Sequence, residues 1–482
     1  MRPFDTQIVP HGWLQRARAL AAALALAPLL ALAQSDPPGR VGRIADLTGT
    51  VWIYDEQDGA WRAAERNLPV TGGDRFATEG DARAELRIGS TTLQLGGGSE
   101  LELLQLDDDR LRMHLHRGGL ALRVVSSEIA AGIEVLTDEG RLQPLRAGHY
   151  RFDRVDDTSF AGVWRGELQF QGQDNLRLIG AGERIEFWVD RARGVARTRD
   201  DSMPNDRLAA WAVESDRRAQ RSAAYRHVSP EMTGVEELDR HGRWEQHPEY
   251  GAVWVPQDVP PGWAPYRDGR WVWQRPWGWT WVDAAPWGFA PFHYGRWVSW
   301  HGRWTWWPGV YQPRPVFAPA LVAWIGGPNV GVSINIGGPR VGWIPLAPYE
   351  AYVPHYHVTP IYVDRINRGH DHRGRPGRER PPRQVPTGPI MYTNQGVPGG
   401  VTVVSSDVLR SRQPVAPAVV APPAVVHRTP VTTVAPPAPA PRRQFDPPRH
   451  DDVTEVPVPA PRFRGGRDGR DDRDGPGRPA PR

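Results

Sequence analysis

The side chains with the greatest capacity for recognition in this chain are its indoles. Sixteen of the 22 Trp fall between Arg243 and Trp343. An indole offers a flat apolar face and the strongest cation–π surface of any side chain. Eight of them, Trp271, Trp273, Trp277, Trp279, Trp281, Trp297, Trp304 and Trp306, form a candidate platform for a glycan or a choline-type ammonium group. The competing assignment is the core of small hairpins poor in aliphatic residues, because so large a side chain is usually well buried. A strand has two faces, so both assignments stay open. Gly-Arg-Trp recurs at 242–244, 269–271, 295–297 and 302–304. These arginines are expected to stack on the Trp of a neighbouring hairpin rather than to meet anionic wall polymers.

Other chemistry is sparse. His114 and His116, like His355 and His357, are spaced to share one face of a strand. Neither pair has a third ligand at a useful spacing, so no dedicated metal site is expected. His370-Asp371-His372 lies in a polar tail and would bind metal only loosely. Asp107–Asp109 reads as a turn, and Glu236, Glu237 and Asp239 read as an exposed helix. No base or nucleophile stands at motif spacing from either group, so no catalytic residue is assigned. The Gly-rich stretch 326–343 lacks a Gly-Lys-Ser/Thr, and Val330, Val332, Ile334 and Ile336 alternate in it. That is a hairpin strand rather than a phosphate cradle. The 482 residues include no Cys and no Lys. Disulfides, thiol nucleophiles, thiolate metal sites, Schiff-base lysines and the P-loop lysine are therefore excluded. No cofactor is expected.

The elements that must hold the indoles are hairpins. GWAPYRDGRW, ending at Trp271, returns 26 positions later as GFAPFHYGRW, ending at Trp297, which marks an internal repeat. Trp271 and Trp273 alternate around Val272, and Trp277, Trp279 and Trp281 alternate after a Gln274-Arg275-Pro276 turn. In the second copy, Trp297–Trp300 and Arg303–Trp307 flank the two-residue turn His301-Gly302. Upstream, from Val41 to about Asp190, apolar residues alternate with polar ones. Ala82, Ala84, Leu86 and Ile88 are the clearest case, with further strands at Leu101–Leu103, Leu111–Leu115 and Leu120–Val124. Many short strands predict an all-β sandwich, roll or short solenoid.

The ordered motifs GRVGRIADLTGTVWI, LPVTGGDRFATEGDARAELRIGSTTLQLGGGSELELLQL, RLRMHLHRGGLALRV and GAGERIEF resemble a FecR-type domain over about 39–190. That resemblance implies a periplasmic β-domain used for interaction. No cytoplasmic segment or membrane span like those of the founding regulators is expected ahead of this domain, so their sigma-factor role is not expected to transfer. Residues 203–240 read as a helical bridge. Leu208, Trp211 and Ala212 lie at helical spacing, and Ser229-Pro230 offers a start for a short helix toward Leu238. VSPEMTGVEELDRHGRW, VWVP, the hairpins, VGWIPLAP and YVPHYHVTPIYVDRIN resemble a Trp-rich family of unknown function over about 228–367, with the hairpin module itself at 241–367. Residues 368–482 hold 19 Arg against 11 acids, a net +8, amid Pro and Gly. They read as a disordered tail with one short strand at Val401–Val404.

The first 33 residues carry Arg2, Arg16 and Arg18, then ALAAALALAPLLALA ending in Ala31-Leu32-Ala33. This is the pattern of a secretory signal cleaved near Ala33, and the run is too short to remain as a transmembrane anchor. The expectation is a mainly β, non-catalytic envelope protein, periplasmic or secreted. It would act as an interaction or structural scaffold, its partners being envelope proteins or cell-wall glycans and not nucleic acid, since the basic excess sits in the tail. The alternatives are a glycan- or choline-type binding module and a wall-polymer hydrolase. N-terminal sequencing of protein isolated from its host is expected to begin at Gln34; an intact Met1 in the inner membrane would refute the cleaved signal.

Overall fold

The computed structural model describes residues 36–55, 59–172, 175–190, 195–219, 222–325, 339–370, 388–422, 424–431 and 434–439. The expected signal at 1–33, most of the Gly-rich strand (326–338) and His372 lie outside the described residues. The chain is mainly β with a few short helices.

Period-two alternation produces two layers in the first domain. One layer runs Gly42–Thr48, Arg83–Ile88, Thr91–Leu95, Leu111–Val124, Gly148–Val155, Thr158–Arg165, Arg184–Asp190, Val195–Asp201, all antiparallel. The other runs Ala60–Ala63, Val51–Asp55, Arg75–Thr78, Glu100–Leu106, Leu111–Val124, Ile133–Thr137, Gly140–Pro144, Glu167–Gln171, Leu176–Gly180. Leu111–Val124 belongs to both. The two strands expected around Gly118-Gly119 are therefore one, bent where Gly118 adopts φ +83. A Cβ there would lie 2.4 Å from Ser99 Cα, so the bend requires glycine. Leu86, Leu95, Leu103, Leu122, Phe152 and Phe187 close a single core between the layers. The sheet continues to Asp201, beyond the expected boundary at 190.

The bridge is partly as expected. Arg207–Ala219 is a helix whose Leu208 and Trp211 pack on Ala121, and Asp206 caps it by accepting from Ala209 N at 2.9 Å. Ser229-Pro230 does not open a helix. Ser229 Oγ accepts from Glu231 N and donates to Pro313 O, making a turn, and Gly234 at φ +96 interrupts the chain before the short helical turns Val235–Glu237 and Leu238–His241.

Both Trp hairpins form, but the first turn is 275–277, so Gln274 belongs to the first strand and Trp277 lies in the turn instead of alternating with Trp279 and Trp281. Gly269–Gln274 pairs with Gly278–Asp283, and Arg296–Trp300 pairs with Arg303–Trp307. His301 and Gly302 both take positive φ, as a tight two-residue turn requires. The second hairpin joins Gly242–His247 and Gly251–Pro256 in a four-stranded sheet. The two repeat copies face each other: Tyr266 and Phe292, equivalent positions 26 apart, meet edge to face at 4.9 Å, and Tyr266 Oη donates to Phe292 O. The segment carrying His355 and His357 is a loop, not a strand.

The expected disorder from 368 needs correction. Thr402–Ser405 supplies the third strand of a sheet with Val322–Ile325 and Arg340–Pro345. Val401, Val403, Val404, Leu409 and Val415 are buried. Asn394 Nδ2 donates to Trp297 O and Pro345 O, and Val415 N donates to Gly269 O. A Pro-rich composition concealed a sparse set of valines sufficient to dock the segment; residues 371–387 and 440–482 lie outside the described residues. Truncation after residue 387 is therefore expected to lower the thermal midpoint by several degrees, whereas truncation after 439 leaves it near that of the full chain. Calorimetry of both proteins checks this.

Candidate functional site

The first Trp hairpin is a wall with two faces. Trp271 and Trp281 stand opposite each other on one face, as do Trp273 and Trp279, each pair edge to face at 5.3 and 5.4 Å. On the other face, Val272 and Val282 enter the core of the first domain. The hairpin is thus shared between two cores, which explains why Val alternates with Trp in its strands.

Beside this wall one guanidinium joins three parts of the chain. Arg43, on Gly42–Thr48, has a fully buried side chain. Its Nη2 donates to Glu236 Oε1 at 2.7 Å, in the helical bridge. Its Nη1 donates to Asn67 Oδ1 at 2.8 Å and to Pro286 O at 3.2 Å, the latter in the loop after the hairpin. Asn67, held at φ +63, which Asn tolerates better than most residues, turns its amide to donate to Asp283 O and Ala285 O. Burial alone would raise the Glu236 pKa. The charges of Arg43 and Arg87 and the hydrogen bond from Arg43 outweigh it and hold the carboxyl below the usual glutamate range. Asp283 is the opposite case. Burial pushes its carboxyl well above the usual range, against hydrogen bonds from Trp281 Nε1 and Ala285 N.

The candidate platform is largely absorbed into a core. Trp271, Trp277, Trp279, Trp281, Trp297, Trp304 and Trp306 are all buried. Several indole N–H groups are satisfied internally: Trp297 by Pro291 O, Trp306 by Tyr294 O and Trp254 by Leu238 O, each at 2.8–2.9 Å. None of these seven presents a flat face to solvent. Trp273 is half-buried and lines a groove of about 540 Å³ between the domains, with Tyr54, Arg62, Asp74, Arg270 and Arg275. The expected stacking of arginine on Trp is replaced by ion pairs and hydrogen bonds. Arg270 pairs with Glu65, Arg243 and Arg303 share Glu245, and Arg296 donates to Glu350 O, Gly295 O and Asn367 Oδ1.

The carboxylates singled out in the sequence are committed to other partners. Asp107 Oδ1 accepts from Asp109 N and Arg110 N, and Asp108 accepts from Gly39 N and pairs with Arg365. Glu236 is no exposed helical residue but the partner of Arg43, and Asp239 accepts from Ser222 Oγ and Ala224 N. His114 and His116 do share a strand face, with ring centroids 4.2 Å apart. The structure adds what spacing along one strand could not show, since Glu102 of the neighbouring strand lies 2.8 Å from His116 Nε2. Burial and the adjacent His116 imidazole hold His114 below the usual histidine pKa.

Residues 235–350 match a family of unknown function (DUF6600). No curated protein matches the chain. Two crystal structures from Parabacteroides distasonis, each of a protein provisionally assigned as an anti-sigma factor, resemble it at TM-score 0.24 and 14% identity. Each overlap covers 29% of this chain and 63% or 64% of the other, under two thirds of its length.

Glu236 provides a test of the junction. Its folded pKa is depressed, so its contribution is present above the unfolded value and lost as pH falls through the glutamate range. Replacing Glu236 with Ala leaves the buried Arg43 only the more distant Glu237, 3.7 Å away, and is expected to cost about 3 kcal/mol at neutral pH. Glu236→Gln should lose less stability than the wild type on acidification, since the group that titrates has gone. Urea melts across pH 3–8 measure both. In the aromatic core, Trp279→Ala is expected to cost about 3–5 kcal/mol, read as a lowered thermal midpoint.

Proposed function

We propose that the protein is a non-catalytic, exported scaffold of the cell envelope, in which a FecR-type β-domain and a Trp-rich module form one interaction body. The observation that carries this reading is the fully buried Arg43, which ties strand Gly42–Thr48 to Glu236, Asn67 and Pro286. Trp residues buried in a shared core favour a structural role over an open aromatic receptor. The amino-terminal pattern Arg16, Arg18, apolar run and Ala31-Leu32-Ala33 supports export to the periplasm or beyond. Among the described residues, no helix is long and apolar enough to cross a membrane.

One observation favours a second reading. The groove holding Trp273 sets an indole beside the exposed Arg275, with Arg270 already paired to Glu65, a combination suited to a cell-wall sugar stacked on the indole. A pull-down with the exported full chain separates the two. Enrichment of envelope proteins that persists in Trp273→Ala supports the scaffold. Retention on purified peptidoglycan that Trp273→Ala abolishes supports the glycan module and overturns the scaffold.

A further inference from the structure

The outer face of the first domain carries a cluster that neither assignment uses. Glu102 lies on Glu100–Leu106, and His114 and His116 lie on its neighbour Leu111–Val124. Met113 and Leu115 point into the core, so the two imidazoles point outward together. One ligand atom from each of the three residues lies within 4.8 Å of the other two, and each side chain is half-buried. A tetrahedral ion bound at 2.0–2.1 Å holds its donors about 3.3 Å apart, so small rotations suffice to close the set.

Two irregularities in the pairing build this arrangement. Leu106 opposite Leu111 would carry Glu102 to Leu115 if the register ran true. Instead the register shifts between Leu103 and Gln105, placing Glu102 opposite His114. A second shift between Glu100 and Leu101 leaves His116 as the extra residue on its own strand. Bulges re-aim side chains in this way, and they gather at functional sites. From the turn after Ile133–Thr137, the parallel neighbour on the other side, Asp138 Oδ1 comes within 3.3 Å of His114 Nε2, a further oxygen donor in reach. The nearby cations are already occupied. Arg154 pairs with Asp138 and Glu139 while its Nε donates to His116 O, Arg117 pairs with Glu100, and Arg112 pairs with Glu134.

We propose that Glu102, His114 and His116 bind a divalent late-transition-metal ion, Zn²⁺ being the probe of choice, on the outer face of the β-domain. Two imidazoles and one carboxylate suit zinc, nickel or copper rather than the all-oxygen shells of calcium and magnesium. Three protein donors leave a coordination position for water or for a donor from a partner.

The test is calorimetric titration of Zn²⁺ into the chelator-stripped full chain. One saturable ion per chain is expected. His114→Asn, His116→Asn and Glu102→Gln are each expected to weaken it by about tenfold or more, with thermal midpoints in chelator matching the wild type. Should a His variant fail to fold, Glu102→Gln and the Co²⁺ absorption spectrum of the wild type, with its tetrahedral visible bands, carry the test. His370→Asn together with His372→Asn is expected to leave the affinity unchanged. Absence of saturable uptake, uptake indifferent to His114, His116 and Glu102, or uptake lost with the His370/His372 variant would each overturn the proposal.

Discussion

A guanidinium cannot be left without an anion in a protein interior, and this requirement at Arg43 organises the molecule. Desolvating the charge is costly unless its donors are met. Here they are met from three separate stretches of chain, by Glu236, Asn67 and Pro286. None of the three can move without leaving an N–H of the buried guanidinium unmet. Asn67 extends the constraint by spending its amide hydrogens on Asp283 and Ala285 at the end of the first Trp hairpin. The relative placement of the β-domain and the aromatic module is thereby specified by directional bonds, over and above apolar contact. Such bonds discriminate against sliding, which apolar contact alone would tolerate.

The aromatic module solves a different problem. It has few aliphatic side chains, so its volume is filled by rings, and rings bring N–H and O–H groups inside. Carbonyls that are not used by strand pairing accept many of them, as Pro291, Tyr294 and Leu238 do for Trp297, Trp306 and Trp254. Edge-to-face geometry recurs through the core, from Trp271 and Trp281 to Trp277 and Phe317. The repeat has a structural reading as well: Tyr266 and Phe292 occupy the same place in the two copies and pack on each other across the module.

Local structure was legible wherever the pattern was local. Alternation located the strands, His301-Gly302 located a turn, and Leu208 with Trp211 located a helix. What escaped was set by partners distant in the chain. Nothing around Glu236 announces Arg43, 193 positions away. Glu102 joins His114 and His116 only because two bulges shift the pairing, and register irregularities leave little trace in composition. Segment 388–439 docks despite its Pro-rich composition because Val401, Val403, Val404, Val415, Val426 and Val431 are buried at individual positions that average composition does not register. For the Trp array, spacing revealed the hairpins but not which side of each faced outward, since Val272 and Val282 find a second core to enter.

The late strand Thr402–Ser405 has a consequence for how the molecule comes into being. Polypeptides emerge amino-terminus first. The β-domain can therefore close while the strand Arg340–Pro345 still shows a bare edge flanked by Val341, Trp343 and Ile344. Until residues 346–401 have followed and Thr402–Ser405 arrives, that edge is a sticky template for any passing strand. Completion of the aromatic module is thus a terminal event in biogenesis, and nascent chains halted before residue 402 would be the ones most in need of a chaperone.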